Sequence, residues 1–452
     1  MRSTKARNSA AQPLRKGLAE LGWPVILILG AALLLWGGGS RYGILNWSVQ
    51  LLALALLCWF HSVAYRSARS LSTGIAALLA ATVALPLIHL IPLPSGVWQG
   101  LPGREVAVET RDLIGVAGDW FPASLDRART LAAFAALIPP LAILLLIRVP
   151  EGRRDFGQAG LRLLVVLALL NLLLGGFQIA TGGVSPLPYP VIDSSRSYGF
   201  FANHNTSGLF SVIGLCALAG VRFPDRGIVT PRVARFLVGS ILVIATVLTQ
   251  SRSSTALLLL PLAYFGFRVI WEARNAIDRK ILFGSILALG VFAAGASYLL
   301  SETRLSATLE RFEDLEDARP DIWADAMVSA DRFFPVGSGM GTFDEVFQLD
   351  ESLETLNPGF ARRAHNDYIE IAVEAGGLGL AIVIAWLIWG IANWYRALGP
   401  CKSNEGAAAG LALACIAMQS FVDYPLRNQA LLCVAAVLVA VLAQPLFRTR
   451  VR

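Results

Sequence analysis

The chain has 452 residues, 55% of them hydrophobic and 15% charged, with a formal net charge of +7. Soluble domains carry about 25% charged residues, so this composition argues against a water-soluble globule. The basic balance invites nucleic acid or anionic lipid as partners, but the cations cluster in short loops between apolar runs, which is a topology signal and excludes a nucleic-acid surface.

Residues 1–21 are basic, from Arg2 to Lys16, and precede the apolar stretch Trp23–Trp36. No A-x-A cleavage site follows, so a retained first helix is predicted rather than a signal peptide. A helix needs about 20 mostly apolar residues to cross the hydrocarbon layer. On that measure spans are predicted near 22–38, 46–64, 74–94, 130–148, 160–180, 206–222, 233–250, 253–271 and 281–300. A segment at 301–370 interrupts them, and further spans follow near 371–395, 406–422 and 428–447. The expected organisation is therefore a cytoplasmic N-terminus at 1–21, nine membrane helices within 22–300, a large helical periplasmic loop at 301–370, three more helices within 371–447, and a tail at 448–452. The fold class is all-α: a polytopic membrane protein with about 12 transmembrane helices.

Orientation follows from the Lys/Arg bias of the short loops. With the N-terminus inside, Arg66 and Arg69, Arg148, Arg153 and Arg154, the arginines from Arg222 to Arg235, and those from Arg268 to Arg279 are cytoplasmic. All four lysines, Lys5, Lys16, Lys280 and Lys402, fall on the same side. The short loops of the opposite face hold only Arg41, Arg196, Arg252 and Arg427. An even number of spans then leaves both termini in the cytoplasm. Segments 95–129 and 301–370 face outward. The second interleaves Glu302, Glu310, Glu313, Asp314, Glu316 and Asp317 with Leu305, Leu309, Phe312 and Leu315, as an acidic amphipathic surface helix would. Of the five cysteines, four lie in apolar runs and Cys401 in a short basic loop, so neither a structural disulfide nor a metal site is expected.

Charges are scarce within the predicted spans, unlike a proton-coupled pump or ion channel. The polar clusters stand instead at the outward ends of helices. They are Gly199 to Asn205 (GFFANHN), Thr249 to Ser253 (TQSRS), Arg319 to Trp323 (RPDIW) with Pro335 to Phe343 (PVGSGMGTF), Ala364 to Leu380 (AHNDYIEIAVEAGGLGL), and Asp423 to Arg427 (DYPLR). Each has a plain structural reading. His365 can cap the following helix, Arg252 can anchor its helix to headgroups, and Arg319 or Arg311 can pair with the local carboxylates. Arg362 and Arg363 can face solvent or headgroups. Asp423 and Arg427, four apart, can pair with each other. Gly337-x-Gly339-x-Gly341 follows a proline, with no strand before it, so a tight turn allowing close backbone packing is expected rather than a nucleotide loop.

In this order and spacing, the motifs resemble those of the O-antigen ligase and polymerase family. The resemblance runs from about residue 195 to 430 and implies a GT-C-like membrane glycosyltransferase without metal or other cofactor. It implies transfer of a glycan from undecaprenyl diphosphate to an acceptor hydroxyl on the periplasmic side. The acceptor would be a lipid core, a protein or a further lipid-linked glycan. By the same similarity His365 matches the family's essential histidine, while Arg252 and Arg319 match its diphosphate-binding arginines, with Arg311 as the substitute for Arg319. Asn203, His204, Asn205, Asn366, Asp423 and Arg427 are candidates for the substrate groove. The chemistry suits the residue types, because guanidinium forks hold a leaving diphosphate bidentately and imidazole accepts a hydroxyl proton. The alternative from another class is a non-catalytic polysaccharide transporter or flippase, which needs a polar path through the membrane centre.

Overall fold

The computed structural model describes residues 22–36, 44–116, 118–147, 156–224, 230–273, 319–354, 362–399 and 401–448. The predicted span near 281–300, the acidic run from Glu302 to Asp317 and the candidate Arg311 lie outside them. In chain order the helices are α1 (Trp23–Trp36), α2 (Ile44–Trp59), α3 (His61–Ser70), α4 (Thr73–His89), α5 (Ser95–Trp98), α6 (Glu105–Leu113), α7 (Arg127–Ala135), α8 (Ile138–Leu146) and α9 (Phe156–Ala180). They continue with α10 (His204–Gly220), α11 (Pro231–Leu248), α12 (Arg252–Leu257), α13 (Leu259–Ala273), α14 (Arg319–Phe333), α15 (Phe343–Val346), α16 (Asp367–Leu398), α17 (Asn404–Gln419) and α18 (Gln429–Arg448). A two-residue ladder, β1 (Pro92–Leu93) against β2 (Phe121–Pro122), is antiparallel.

The all-α membrane class holds, but twelve full spans do not. Among the described residues, four helices are long and apolar enough to cross a membrane: Arg127–Leu146, Phe156–Ala180, Pro231–Leu248 and Asp367–Leu398. The pair α2 and α3, bent by 85°, makes a fifth if it is one broken span. Hydropathy counts apolar residues without seeing where a helix stops. The stretches predicted as spans near 206–222 and 406–422 form helices of 17 and 16 residues. At 1.5 Å per residue these reach only about 25 Å, short of the roughly 30 Å hydrocarbon layer. The stretch near 253–271 is divided between α12 and α13.

The short helix α10 is the centre of the bundle, buried at every residue from Thr206 to Gly220. It packs against α9, α11 and α17. Lipid gives helices no hydrophobic reason to associate, so close van der Waals approach and small residues must do it. Gly214 meets the Ala168 methyl of α9, and Gly220 meets Leu161 of α9 and Ala408 of α17, at separations that leave no room for a Cβ. The small run Gly406 to Gly410 of α17 supplies the complementary surface.

α16 is broken at Gly376, whose φ of 55° and ψ of −144° lie outside the helical region. The break frees the carbonyls of Val373 and Glu374 from their helical partners, and the glycine-rich loop satisfies them. Ser338 N–H donates to the Val373 carbonyl and Gly339 N–H to that of Glu374, both at 2.9 Å. Gly377 N–H in turn donates to the Pro335 carbonyl at 3.0 Å. Gly337, Gly339 and Gly341 all have positive φ, and a Cβ at Gly337 would overlap the Glu374 carbonyl. The GSGMG motif is thus a backbone clamp on a broken helix, as the turn reading expected. Gly376→Ala would drive a Cβ into the Pro335 carbonyl. We expect it to cost at least ~2 kcal/mol, read as a lowered thermal midpoint of the detergent-solubilised protein.

The same clamp holds the segment between α4 and α7. Arg104 is 1% exposed and donates to the carbonyls of Pro102, Ala123 and Gly337. Leu125 N–H donates to the Ser338 carbonyl at 2.9 Å. Burial pushes the Arg104 guanidinium down to about 10, with Glu105 opposing the shift, so the residue stays charged at neutral pH and its carbonyl partners stabilise it.

Candidate functional site

Helix ends converge on one end of the bundle: the starts of α10, α12, α14 and α16, and the ends of α11 and α17. A cavity of about 90 Å³ opens there, lined by His204, Asn205, Gln250, Arg252, Ser253 and Arg319. Arg252 opens α12, and Arg319 opens α14, so two guanidiniums from separate motifs share one small polar space. Ser251 caps α12 by accepting from Ser254 N–H at 3.3 Å. His204 and Asn205 are the first residues of α10, whose dipole adds positive potential to the same wall. His204 Nε2 lies 3.3 Å from Arg196 Nη1, and Arg196 is paired with Asp193 at 2.9 Å.

His365 stands beside this cavity rather than in its wall. Its φ of 48° is left-handed, an uncommon backbone for a residue with a side chain. Such strain persists only where the surroundings impose it, and it is concentrated at functional sites. Here Asn366 caps α16, accepting from Tyr368 N–H at 3.0 Å and Ile369 N–H at 3.2 Å, and this turns the chain sharply at His365. The imidazole lies edge-on to Tyr424, with ring centroids 5.0 Å apart. Its Nδ1 faces Asp423 Oδ1 at 3.5 Å. Neither atom has another hydrogen-bond partner, and Asp423 is 3% exposed. A small rotation would close a hydrogen bond that keeps the proton on Nδ1 and leaves Nε2 as the basic nitrogen.

Two bridges join the histidine to the arginine cavity. Asn203, which caps α10 by accepting from Asn205 N–H at 2.8 Å, also donates to Tyr424 Oη at 3.5 Å. Gln419, at the end of α17, donates to Ser253 Oγ at 2.8 Å. Its neighbour Ser420 donates to Asp367 Oδ2, also at 2.8 Å. α14 closes the arrangement: Trp323 Nε1 donates to the Ala364 carbonyl at 2.9 Å, which ties the helix that carries Arg319 to the residue before His365. Burial, with Asp423 adding to it, pushes the Tyr424 phenol up to about 12, so it stays neutral and can donate.

The expected pairing of Asp423 with Arg427 is not formed. The chain between them runs through a turn and a single 3-10 turn at Pro425–Arg427, so four-residue spacing does not place them on one helical face. Arg427 instead reaches α16, where Asp367, Glu370 and Glu374 share one face of its first two turns. Its Nη1 donates to Glu374 Oε2 at 2.6 Å, and its Nε lies 3.4 Å from Glu370 and 3.7 Å from Asp367. Burial opposes the charge on Arg427, but Glu370, Glu374 and Asp367 outweigh it and raise its pKa above the ordinary value. Arg363, read as solvated, pairs with Glu370 at 2.5 Å with its side chain only 12% exposed. Glu374 also accepts from Phe343 N–H at 3.2 Å, tying the network to the glycine clamp. Sequence reading missed these three carboxylates, although acidic residues at helical spacing in an otherwise apolar helix were the available signal.

Fold and site together define a membrane-embedded helical bundle with its polar machinery gathered at one end. Residues 236–384 match the family described as Wzy_C, O-antigen ligase, a stretch that includes Arg252, Arg319 and His365. Over that stretch, about a third of the chain, the protein is similar to the O-antigen ligase family. No curated protein matches it.

Proposed function

We propose that the protein is a glycosyltransferase that moves an oligo- or polysaccharide from undecaprenyl diphosphate to an acceptor hydroxyl. The reaction takes place on the periplasmic side of the bacterial inner membrane. The observation that supports this reading is the cavity shared by Arg252 and Arg319, to which His365 is linked through Tyr424 and Asn203. As the glycosidic bond breaks, charge grows on the departing diphosphate. Two guanidiniums in a partly open polar cavity stabilise that charge more in the transition state than in the ground state, without a metal ion. On the opposite side of the anomeric carbon, the His365 imidazole takes the proton of the attacking hydroxyl. Attack opposite the leaving group inverts the configuration. Asp423 is the positioning residue for the imidazole.

A nucleotide-free assay tests the reading, with purified protein, a polyprenyl-diphosphate glycan and a hydroxyl acceptor. Transferred glycan supports it, whereas movement of the donor across a bilayer without transfer would favour a flippase. Arg252→Lys replaces a fork with a point charge, and we expect a loss of about 2 kcal/mol in transition-state stabilisation, roughly 30-fold in kcat/KM. Unchanged turnover would remove Arg252 from the diphosphate site. Cells lacking the protein distinguish the two family activities: unlinked single repeats mark a polymerase, unattached long chains a ligase.

A further inference from the structure

The segment between α4 and α7 is built more firmly than a connector requires. Its base is the β1–β2 ladder. Trp98 is 1% exposed, and its Nε1 donates to the Asp119 carbonyl at 3.0 Å. The ring of Phe121 faces two cations. The Arg111 guanidinium carbon is 3.1 Å from its centroid and that of Arg127 4.4 Å, while Arg111 also lies 5.4 Å from the Trp98 ring. Aromatic faces hold guanidiniums in place, yet two like charges on one ring repel each other. Among the described residues neither arginine has an ion-paired carboxylate. Asp126, next to Arg127, is committed to capping α7 through Ala128 N–H and Arg129 N–H. Burial and then Arg127 hold Arg111 below its ordinary pKa, against the pull of Asp119.

Beside this pair the segment exposes large apolar groups. Leu113 is 82% exposed, Ile114 68% and Trp120 62%. The segment leaves the bundle from α4 and re-enters at α7, where the Arg127–Leu146 span begins. Its apolar tip therefore lies where the chain passes between the hydrocarbon layer and water, the depth at which tryptophan and amphipathic helices settle. Arg104 and Leu125 fasten it to the glycine clamp, on the same end of the bundle as His365.

We propose that Arg111 and Arg127, held on Phe121, bind the phosphate of an anionic membrane lipid whose chains run past Leu113, Ile114 and Trp120. The phosphate relieves the repulsion of the two guanidiniums through charge-assisted, bidentate hydrogen bonds. This is a second anion site, separate from the Arg252–Arg319 cavity and on a different element.

Native mass spectrometry of the full chain, released from detergent after exposure to dioleoyl phosphatidate or to dioleoylglycerol, tests it. These lipids share their chains and differ in the phosphate. The wild-type chain should retain phosphatidate in preference to the diacylglycerol. R127Q should weaken phosphatidate retention by roughly tenfold, and R111Q/R127Q by more. R127Q is the decisive variant, since Arg127 is exposed and its loss leaves Arg111 packed on Trp98 and Phe121. R66Q/R69Q, on α3, should retain phosphatidate as wild type does. L113S/I114S/W120S should weaken retention, and inorganic phosphate should fail to displace the lipid. Equal retention of the two lipids, unaltered retention by R127Q, or displacement by inorganic phosphate would overturn the assignment. The measurement reads binding alone, so it stands apart from the transferase reading.

Discussion

His365→Ala should reduce glycan transfer by about 10²–10⁴-fold, the usual contribution of a positioned acid–base group, with the protein still folded and inserted. The loss should fall on kcat rather than on donor binding, because in the proposed mechanism arginines of other helices bind the diphosphate. Asp423→Asn offers the finer comparison. The amide keeps the shape beside Nδ1 but lacks the charge that fixes the ring tautomer, so turnover should fall less than in the alanine variant while KM for the donor holds. A merely structural Asp423 would instead lower the thermal midpoint and leave kcat in the folded fraction unchanged. Transfer at the wild-type rate by His365→Ala would dismiss the imidazole from the mechanism.

The largest stability effect is expected at Arg427. Its guanidinium compensates a row of carboxylates, with Glu370 and Glu374 each 0% exposed. Arg427→Met leaves them buried without their principal counter-charge, a change that costs about 3–5 kcal/mol in comparable networks. The detergent-solubilised variant should therefore melt well below wild type, or fail to accumulate in membranes. Glu374→Gln in the Arg427→Met background should restore part of the loss, since it removes one uncompensated charge. An unchanged melting midpoint in Arg427→Met would show that the network contributes little. The network also reaches the proposed base, because Asp367 accepts from Ser420 and follows the strained His365 by two residues. Loosening it should move His365 as well as soften the fold.

The glycine-rich motif shows how far local chemistry can be read. Three alternating glycines after a proline point to a turn, and the turn is there; its partner, a helix broken at Gly376, lies more than thirty residues on along the chain. Nothing in the motif names that partner. The asparagines behave likewise. Asn203 and Asn366, read as groove candidates, both cap helices, and each does so directly beside a histidine. Hydropathy found the apolar stretches but overcounted the spans, because α10 and α17 are only 17 and 16 residues long, and α10 is buried from Thr206 to Gly220 rather than facing lipid.

Composition and loop charge sufficed for the membrane class, since burying so much apolar surface and sorting cations by loop are properties of the chain as a string. The residue types in the motifs sufficed for the kind of chemistry to expect, because guanidinium, imidazole and carboxylate have fixed affinities and protonation behaviour. Only the tertiary structure decided the pairings. Arg427 lies four residues from Asp423, yet it turns to Glu374, 53 positions away in sequence, because a short 3-10 turn aims it at α16. Electrostatic energy depends on distance through space and on local burial, and neither can be counted along the sequence.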